Sequence, residues 1–311
     1  MVIDRDVKVQ PGRHRALRVL ARRAGPAYAF LLPGFVVFTV VMVYPTIQAF
    51  IISLQRWSPV KGGHNTFVGL ANYVQALHDP IVWRALANSG VYMLVTVVAE
   101  MALGLICALA LNAAIRGRSV FRLMIYIPVV TSWVVVSILF KYLFMGNDSL
   151  VNSSLGLVGL PPVDWFNGRW TGMVVICALG VWKGVGWSML IFLAALQAVP
   201  AELHEVAEMD GAGWWSRFWN VTMPAIRRTT FFISIMLVIG ALSVYISVSL
   251  ITNGGPANMT QVPLMYLYQQ AFSFLNFGYG SAIAFMLTIL ILIVSLGQFS
   301  IGERAAEGAT A

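Results

Sequence analysis

The chain has 311 residues, of which 59% are hydrophobic and 10% are charged, and its formal net charge at pH 7 is +8. Soluble globular domains carry about 25% charged residues, so this composition excludes an ordinary soluble protein and indicates an integral protein of a lipid bilayer. Seven of the twenty basic residues precede the first apolar run. That distribution is typical of a topology signal rather than of a nucleic-acid-binding surface, so no nucleic-acid partner is expected.

Six apolar runs follow one another along the chain. Each is of the order of the 20 residues that cross the hydrocarbon core as a helix, and they lie at roughly 28–55, 86–114, 123–144, 171–197, 229–251 and 279–301. Basic residues concentrate before the first run, between the second and third, between the fourth and fifth, and after the sixth. The positive-inside rule therefore places both termini in the cytoplasm.

The runs predict an all-α, polytopic membrane protein with six transmembrane helices and three parts. These are a basic cytoplasmic segment at 1–27, a transmembrane domain at 28–301 and a cytoplasmic tail at 302–311. The first run is longer than the roughly 7–15-residue apolar core of a secretory signal, so we expect it to be retained. The aromatic-rich segment 261–274 predicts a short amphipathic helix at the outer interface. Cys107 and Cys177 lie in apolar runs and are expected to pack.

Motifs for catalysis, nucleotide binding and metal binding are missing from the sequence. None of the four lysines belongs to a GxxxxGK[ST] loop, the histidines are scattered, and there is no GxSxG or HExxH. We therefore expect no catalytic residue, no metal site and no cofactor bound by this chain. ATP could drive this protein only through a partner that binds it.

Two ionisable residues, Glu100 and Lys183, fall inside apolar runs at a depth of about 18–21 Å from the cytoplasmic ends. Such residues cost about 2.5–3.5 kcal/mol on insertion scales and usually face partners or a water-filled path. One interpretation is that they line a solute pathway, where Trp182 and Trp187 would stack on a sugar face. The other is a structural pair, or a Lys183 bonded to backbone carbonyls, with both tryptophans as packing residues.

A charged loop at 200–224 separates the fourth and fifth runs. Glu202, Glu205 and Glu208 recur every three residues and share one helical face, and a glycine-containing break precedes a cluster of aromatic residues suited to the membrane surface. The pattern predicts a helix, a break and a second helix on the cytoplasmic face. Because an anionic leaflet would repel the acidic stripe, we expect a cytoplasmic protein partner with basic residues.

The loop also carries a recognisable spacing. Glu205-Val206-Ala207, then Gly211 and, nine residues later, Val221-Thr222-Met223-Pro224 resemble the EAA---G---------I-LP signature of permease subunits in binding-protein-dependent ABC importers. Val206, Val221 and Met223 depart from the signature as conservative apolar exchanges. Flanking pieces such as 68–73, 195–200 and 252–256 are similar to the carbohydrate-uptake branch, which includes maltose and glycerol-phosphate permeases. The resemblance covers nearly the whole chain.

The resemblance implies a type I ABC importer permease fold in the bacterial inner (plasma) membrane and a sugar or sugar-like solute. It also implies a second homologous permease subunit, two ATPase subunits that use ATP and Mg, and an extracytoplasmic solute-binding protein. The 200–224 loop would form a coupling helix in an ATPase cleft, through Glu202, Glu205, Val206, Ala207, Glu208, Asp210, Gly211 and Pro224. The alternative is a single-component secondary transporter that uses Glu100 and Lys183. A membrane-embedded enzyme is disfavoured by the missing motifs.

Overall fold

A computed structural model describes residues 30–57, 59, 65–113 and 116–307. The predicted basic segment 1–27 and the last residues of the predicted tail, 308–311, lie outside the described residues. The chain divides into two compact units, one up to Ile52 and one from Ser53 onward. Apart from two short paired strands, β1 (Gln55–Arg56) and β2 (Thr66–Phe67), the regular structure of the described part is helical, which confirms the all-α prediction.

The helices are labelled in chain order. They are α1 (Phe30–Ser53), α2 (Ala71–His78), α3 (Pro80–Asn112), α4 (Arg118–Val130), α5 (Trp133–Phe144), α6 (Leu150–Leu157), α7 (Arg169–Gln197), α8 (Ala201–Met209), α9 (Trp214–Arg217, a π turn at Phe218–Thr222, and Met223–Leu242 without interruption), α10 (Ile246–Ile251), α11 (Pro263–Tyr268) and α12 (Phe277–Glu307). Helix α1 contains a π turn at Thr39–Val43, directly before Pro45, whose ring nitrogen has no hydrogen to donate.

In the described part, five helical segments are long and apolar enough to cross a membrane: α1, α3, α7, α9 with α10, and α12. The count reaches the predicted six when α4 and α5 are taken as one broken span. The placement of both termini in the cytoplasm stays a prediction of the positive-inside rule.

The predicted third span, at 123–144, is broken near its middle. Helix α4 ends at Val130, helix α5 begins at Trp133, and their axes are bent by 96°. Pro128 removes one backbone donor just before the break, and the Thr131 hydroxyl donates to the Pro128 carbonyl oxygen at 2.6 Å. The apolar run therefore contains two helices.

Two other predicted spans begin earlier than expected. Helix α3 starts at Pro80 rather than near 86, because Asp79 caps it and accepts a hydrogen bond from the Ile81 N–H at 2.8 Å. Helix α9 starts at Trp214 rather than near 229, so the predicted separate surface helix is the first part of a span. The last span also continues past 301, to Glu307.

The segment predicted as an interfacial amphipathic helix is helical, and one face of it packs against the protein. Helix α11 contacts α3 and α12, and Val262, Met265 and Tyr266 are each 5% exposed or less. Tyr266 packs with Tyr279 and Val82 in one apolar cluster. Tyr268, Phe272 and Phe274, by contrast, are 45–61% exposed, so the segment has one buried and one exposed face, and its position at the outer interface stays a prediction.

Helices α3 and α7 form the most extensive contact of the second unit. Gly180 and Gly184 of α7 lie against α3 so closely that an added Cβ would meet the Tyr92 hydroxyl or the Glu100 carboxyl group. Small residues at membrane helix interfaces allow this approach of backbones. Cys107 and Cys177 are free thiols that pack in two apolar clusters of the second unit.

Candidate functional site

A cavity of about 490 Å³ lies among the spans of the second unit. Helix α3 contributes Tyr92, Thr96 and Glu100, which are four residues apart and so share one helix face. The remaining walls come from α5, α7, α9, α10 and α11, through Trp133, Gly180, Gly184, Met236, Leu237, Gly240, Ala241, Ser243, Val244, Tyr245, Ile246, Ser247 and Leu264. The cavity thus combines aromatic rings with hydroxyl groups and one carboxyl group.

The polar groups of this cavity differ in how far the protein satisfies them. Thr96 donates to the Tyr92 carbonyl at 2.8 Å and Ser243 to the Ile239 carbonyl at 2.9 Å. Ser247 is 1% exposed, and its hydroxyl has no hydrogen-bond partner among the described residues. A buried hydroxyl without a partner is costly, so Ser247 is the polar side chain of the cavity lining that the described residues leave unsatisfied.

Glu100 is 7% exposed and lies at the cavity wall. Its carboxyl group occupies the space left by the absent side chain of Gly184. The signal that the sequence interpretation missed is the Gly180–Gly184 pair, a GxxxG spacing inside an apolar run. Together with the four-residue spacing of the polar side chains on α3, it points to this contact between the two helices.

Lys183 lies one residue from Gly184 but bonds elsewhere. Its Nζ donates to the carbonyl oxygens of Pro128 at 2.8 Å, Val129 at 3.2 Å and Thr131 at 2.6 Å. Among the described residues the ion pair found is that between Glu208 and Arg217, so Glu100 and Lys183 do not form one. Of the two structural interpretations, the geometry shows the one in which Lys183 bonds to backbone carbonyls.

The two tryptophans of the predicted pathway lie away from this cavity. Trp182 is 44% exposed, packs against Phe140 at 5.5 Å between ring centroids, and lines a separate apolar groove of about 710 Å³. Trp187 packs at the edge of the apolar cluster around Phe192. Of the four residues in the predicted pathway, the structure places Glu100 at the cavity wall.

The 200–224 loop contains the predicted helix and break, and the helix that follows is the first part of α9. Helix α8 ends at Met209, and Gly211 has φ +77°, a left-handed conformation that glycine adopts at little cost. The Ala212 N–H donates to the Ala207 carbonyl oxygen at 2.9 Å and closes the helix end. Pro224 lies in α9, just after its π turn.

Helix α8 has no buried residue in this chain. Its exposed side chains are of two kinds, acidic (Glu202, Glu205 and Glu208) and apolar (Leu203, Val206 and Met209). Met209 is 88% exposed. A helix that presents an apolar stripe to solvent indicates a surface that a partner covers.

The start of α9 carries a ladder of aromatic rings. Trp214, Trp215, Phe218 and Trp219 lie with neighbouring ring centroids 5.1–6.0 Å apart, and the three tryptophans are 50–63% exposed. Arg217, in the same stretch, pairs with Glu208 of α8 at 3.1 Å. The ladder therefore stands at the base of a span and beside the exposed helix α8.

At the end of the second unit away from α8, two polar side chains, Asn88 and Asp79, join several elements by hydrogen bonds; we call them the polar clamps. Asn88 is fully buried, donates to the carbonyl oxygens of Met259 and Gln261 at 2.9 and 2.8 Å, and accepts from Arg169 Nε at 2.9 Å. This one side chain joins α3, the start of α7 and the loop before α11.

Asp79 forms a second clamp at the same end. Its Oδ2 accepts hydrogen bonds from the hydroxyls of Tyr266 at 2.6 Å and Tyr279 at 2.7 Å. Burial alone would raise the pKa of Asp79, but these bonds and those from the Ile81 and Val82 N–H groups stabilise the carboxylate and lower its pKa below 3.8. Burial, together with the Asp79 charge and hydrogen bond, raises the pKa of Tyr266 to about 12.

Several apolar spans, a largely apolar cavity with a few polar groups among them, and an exposed helix in one loop are features of a membrane transport component. Within the described ranges no three His, Cys, Asp or Glu side chains come together as a metal site would require. Residues 100–305 match the family model described as binding-protein-dependent transport system inner membrane component, and the chain belongs to that family. It is thus a multi-pass protein of the bacterial inner membrane and a permease component, not itself an enzyme.

Two similar proteins and one similar structure agree with this family. The chain is 37% identical to the arabinooligosaccharides transport system permease protein AraP of Bacillus subtilis (strain 168), over 93% of this chain and 92% of that one. It is 32% identical to the lactose transport system permease protein LacF of Rhizobium radiobacter, over 88% and 92%. A chain of a bacterial alginate ABC transporter, in complex with alginate pentasaccharide-bound periplasmic protein, matches with a TM-score of 0.81, 20% identity and coverage of 92% and 96%. This last match shows the fold.

Proposed function

We propose that the chain is the permease subunit of an ATP-driven importer that moves a sugar or sugar-like solute delivered by an extracytoplasmic binding protein. The observation that carries the proposal is helix α8, which has no buried residue and exposes an acidic and an apolar stripe. A separate ATPase that covers this helix would supply the energy that a chain without a nucleotide-binding motif lacks.

The partners of the proposed complex follow from the family and from the relatives. They are a second permease subunit, two ATPase subunits that bind ATP and Mg, and the binding protein. The relatives' names, with arabinooligosaccharides, lactose and alginate, support a carbohydrate solute. Membership in a binding-protein-dependent family counts against the alternative of a single-component secondary transporter.

A continuous helix joins the proposed coupling surface to the cavity. Helix α9 begins at Trp214, contacts α8 through the Glu208–Arg217 pair, and lines the cavity from Met236 onward. At 1.5 Å per residue, Met236 is about 33 Å along the helix from Trp214. Movement of α8 with an ATPase would therefore reach the cavity wall along a single element.

For the solute pathway, the proposal rests on the cavity and on Glu100. The hydroxyl groups, the carboxyl group and the aromatic rings that line the cavity suit a polyhydroxylated solute. Small-molecule sites generally combine apolar surface with a few precisely placed polar groups. Binding of ATP by the partner ATPase and docking of the loaded binding protein would both favour the outward-facing state.

The test is a charge reversal on the exposed face of α8. In a co-expressed complex, we expect Glu205→Arg to leave the chain in the membrane but to lower co-purification of the ATPase at least tenfold, because like charges facing each other at an interface cost several kcal/mol. Asp148→Arg, on an exposed residue of another loop, is the matched control and should leave the ATPase bound. Normal co-purification and normal uptake in the Glu205→Arg complex would refute the proposed docking surface.

A further inference from the structure

The break between α4 and α5 leaves backbone carbonyl groups without helical partners inside a membrane span. The last four carbonyl groups of an α-helix have no N–H partner within the helix. In the hydrocarbon core no water is present to donate to them. Here the carbonyls of Pro128, Val129 and Thr131 point to a single group, the Nζ of Lys183. Lys183 belongs to α7, the helix whose Gly180 and Gly184 line the cavity.

The three hydrogen bonds use all the donors that Lys183 has. An ammonium group carries three N–H donors and no acceptor, and the three carbonyl oxygens lie 2.6–3.2 Å from it. The side chain is 4% exposed. No N–H is left for a solute, so Lys183 acts on its surroundings and not on cargo.

Lys183 also contacts the residue that begins α5. Its Nζ lies 5.0 Å from the centre of the Trp133 ring, within the range of a cation–π interaction, and Trp133 lines the cavity. The same ammonium group therefore binds the end of α4 and the start of α5. Next to it, Gly186 allows α7 to lie directly against the Ile125 carbonyl of α4, which brings the lysine within reach.

We propose that Lys183 is a positioning residue: it holds the broken span in its bent form and so places the Trp133 ring in the cavity wall. The role of the cavity rests on the proposed transport function, but the bend and the ring position do not. Loss of the ammonium group would remove this donor from the Val129 and Thr131 carbonyls, while the Pro128 carbonyl would keep its bond from the Thr131 hydroxyl. The break would then rearrange to satisfy the two carbonyls.

The test reads the position of the Trp133 ring directly in the complete co-expressed complex in lipid nanodiscs. The protein is labelled with 5-fluorotryptophan, and the Trp133→Phe variant assigns the Trp133 fluorine resonance. We expect Lys183→Met, which has no donor, to shift or broaden that resonance. Lys183→Arg, which keeps the charge and several donors, should restore most of its position, and Lys141→Met, a partly exposed lysine in the last turn of α5, should leave it unchanged.

An unshifted Trp133 resonance in an assembled Lys183→Met complex would overturn the proposal. If Lys183→Met does not assemble, Lys183→Gln takes its place, since it keeps two donors without the charge and should give a smaller shift than Met. A resonance in Lys183→Arg that is as displaced as in Lys183→Gln would also count against it. The readout needs no transported solute, so it stands apart from the ATPase co-purification that tests the proposed function.

Discussion

Replacement of Gly186 by alanine tests the close approach of α7 to α4. An added Cβ there would meet the Ile125 carbonyl oxygen, the Val129 side chain at 2.8 Å and the Tyr126 Cα at 3.1 Å. Two of these three atoms belong to the backbone and cannot rotate away, so α4 must move. Overpacking of this kind costs about 1–3 kcal/mol, and backbone contacts favour the upper end.

Alanine also gains about 0.5–1 kcal/mol over glycine within a helix, which offsets part of that cost. The net expectation for Gly186→Ala is a loss of about 2 kcal/mol. Gly90→Ala is the matched control, because Gly90 lies inside α3 and an added Cβ there meets nothing within 4 Å. The control should be neutral or more stable by about 0.5–1 kcal/mol.

The assay is reversible denaturation of the purified chain in detergent, with both variants and the parent compared under one condition. The two alanine variants should differ in unfolding free energy by about 2–3 kcal/mol, which combines the loss at Gly186 with any gain at Gly90. Equal stability of the two variants would refute the close packing of α7 on α4.

Two further predictions concern the polar clamps at the opposite end. Asp79→Asn should cost about 1.5–3 kcal/mol at pH 7, because hydrogen bonds to a charged group are of that strength; Asp148→Asn is the control. Since the pKa of Asp79 is below 3.8, this contribution is complete above that pH and should stay flat from pH 5 to 8, and a decline within that range would contradict it. Asn88→Ala should raise hydrogen exchange at 257–262 and not in α8, and unchanged exchange there would contradict the clamp.

The transmembrane spans and the loop could be predicted because their signals are local. Hydropathy marks each run of about 20 residues, and the helix–break–helix form follows from Gly211, whose φ of +77° is one that few other residues adopt easily. The bend in the third span could not be read in the same way. The run stays apolar through the break, and Pro128 alone marks it.

The partners of the buried polar groups depend on contacts between distant parts of the chain. Lys183 and its carbonyl partners are 52–55 residues apart, and Asp79 and Tyr266 are 187 apart. Depth in the membrane showed that Glu100 and Lys183 lie at a similar level but not which neighbours they face. The packing of one face of α11 on α3 and α12 could not be read from the sequence for the same reason, because its aromatic residues suit an interface as well as a packed interior.

Helix α8 is attached to the rest of the chain by little more than its C-terminal turn. It has no buried residue, and an ion pair as exposed as Glu208–Arg217, with side chains 70% and 26% accessible, contributes between 0 and about 1 kcal/mol. Changing the orientation of α8 would therefore cost little free energy, because no buried contact of α8 would be lost. If α8 is the docking helix proposed above, the short turn at 210–213 would let α8 rotate with its partner while its displacement reaches α9 through the chain.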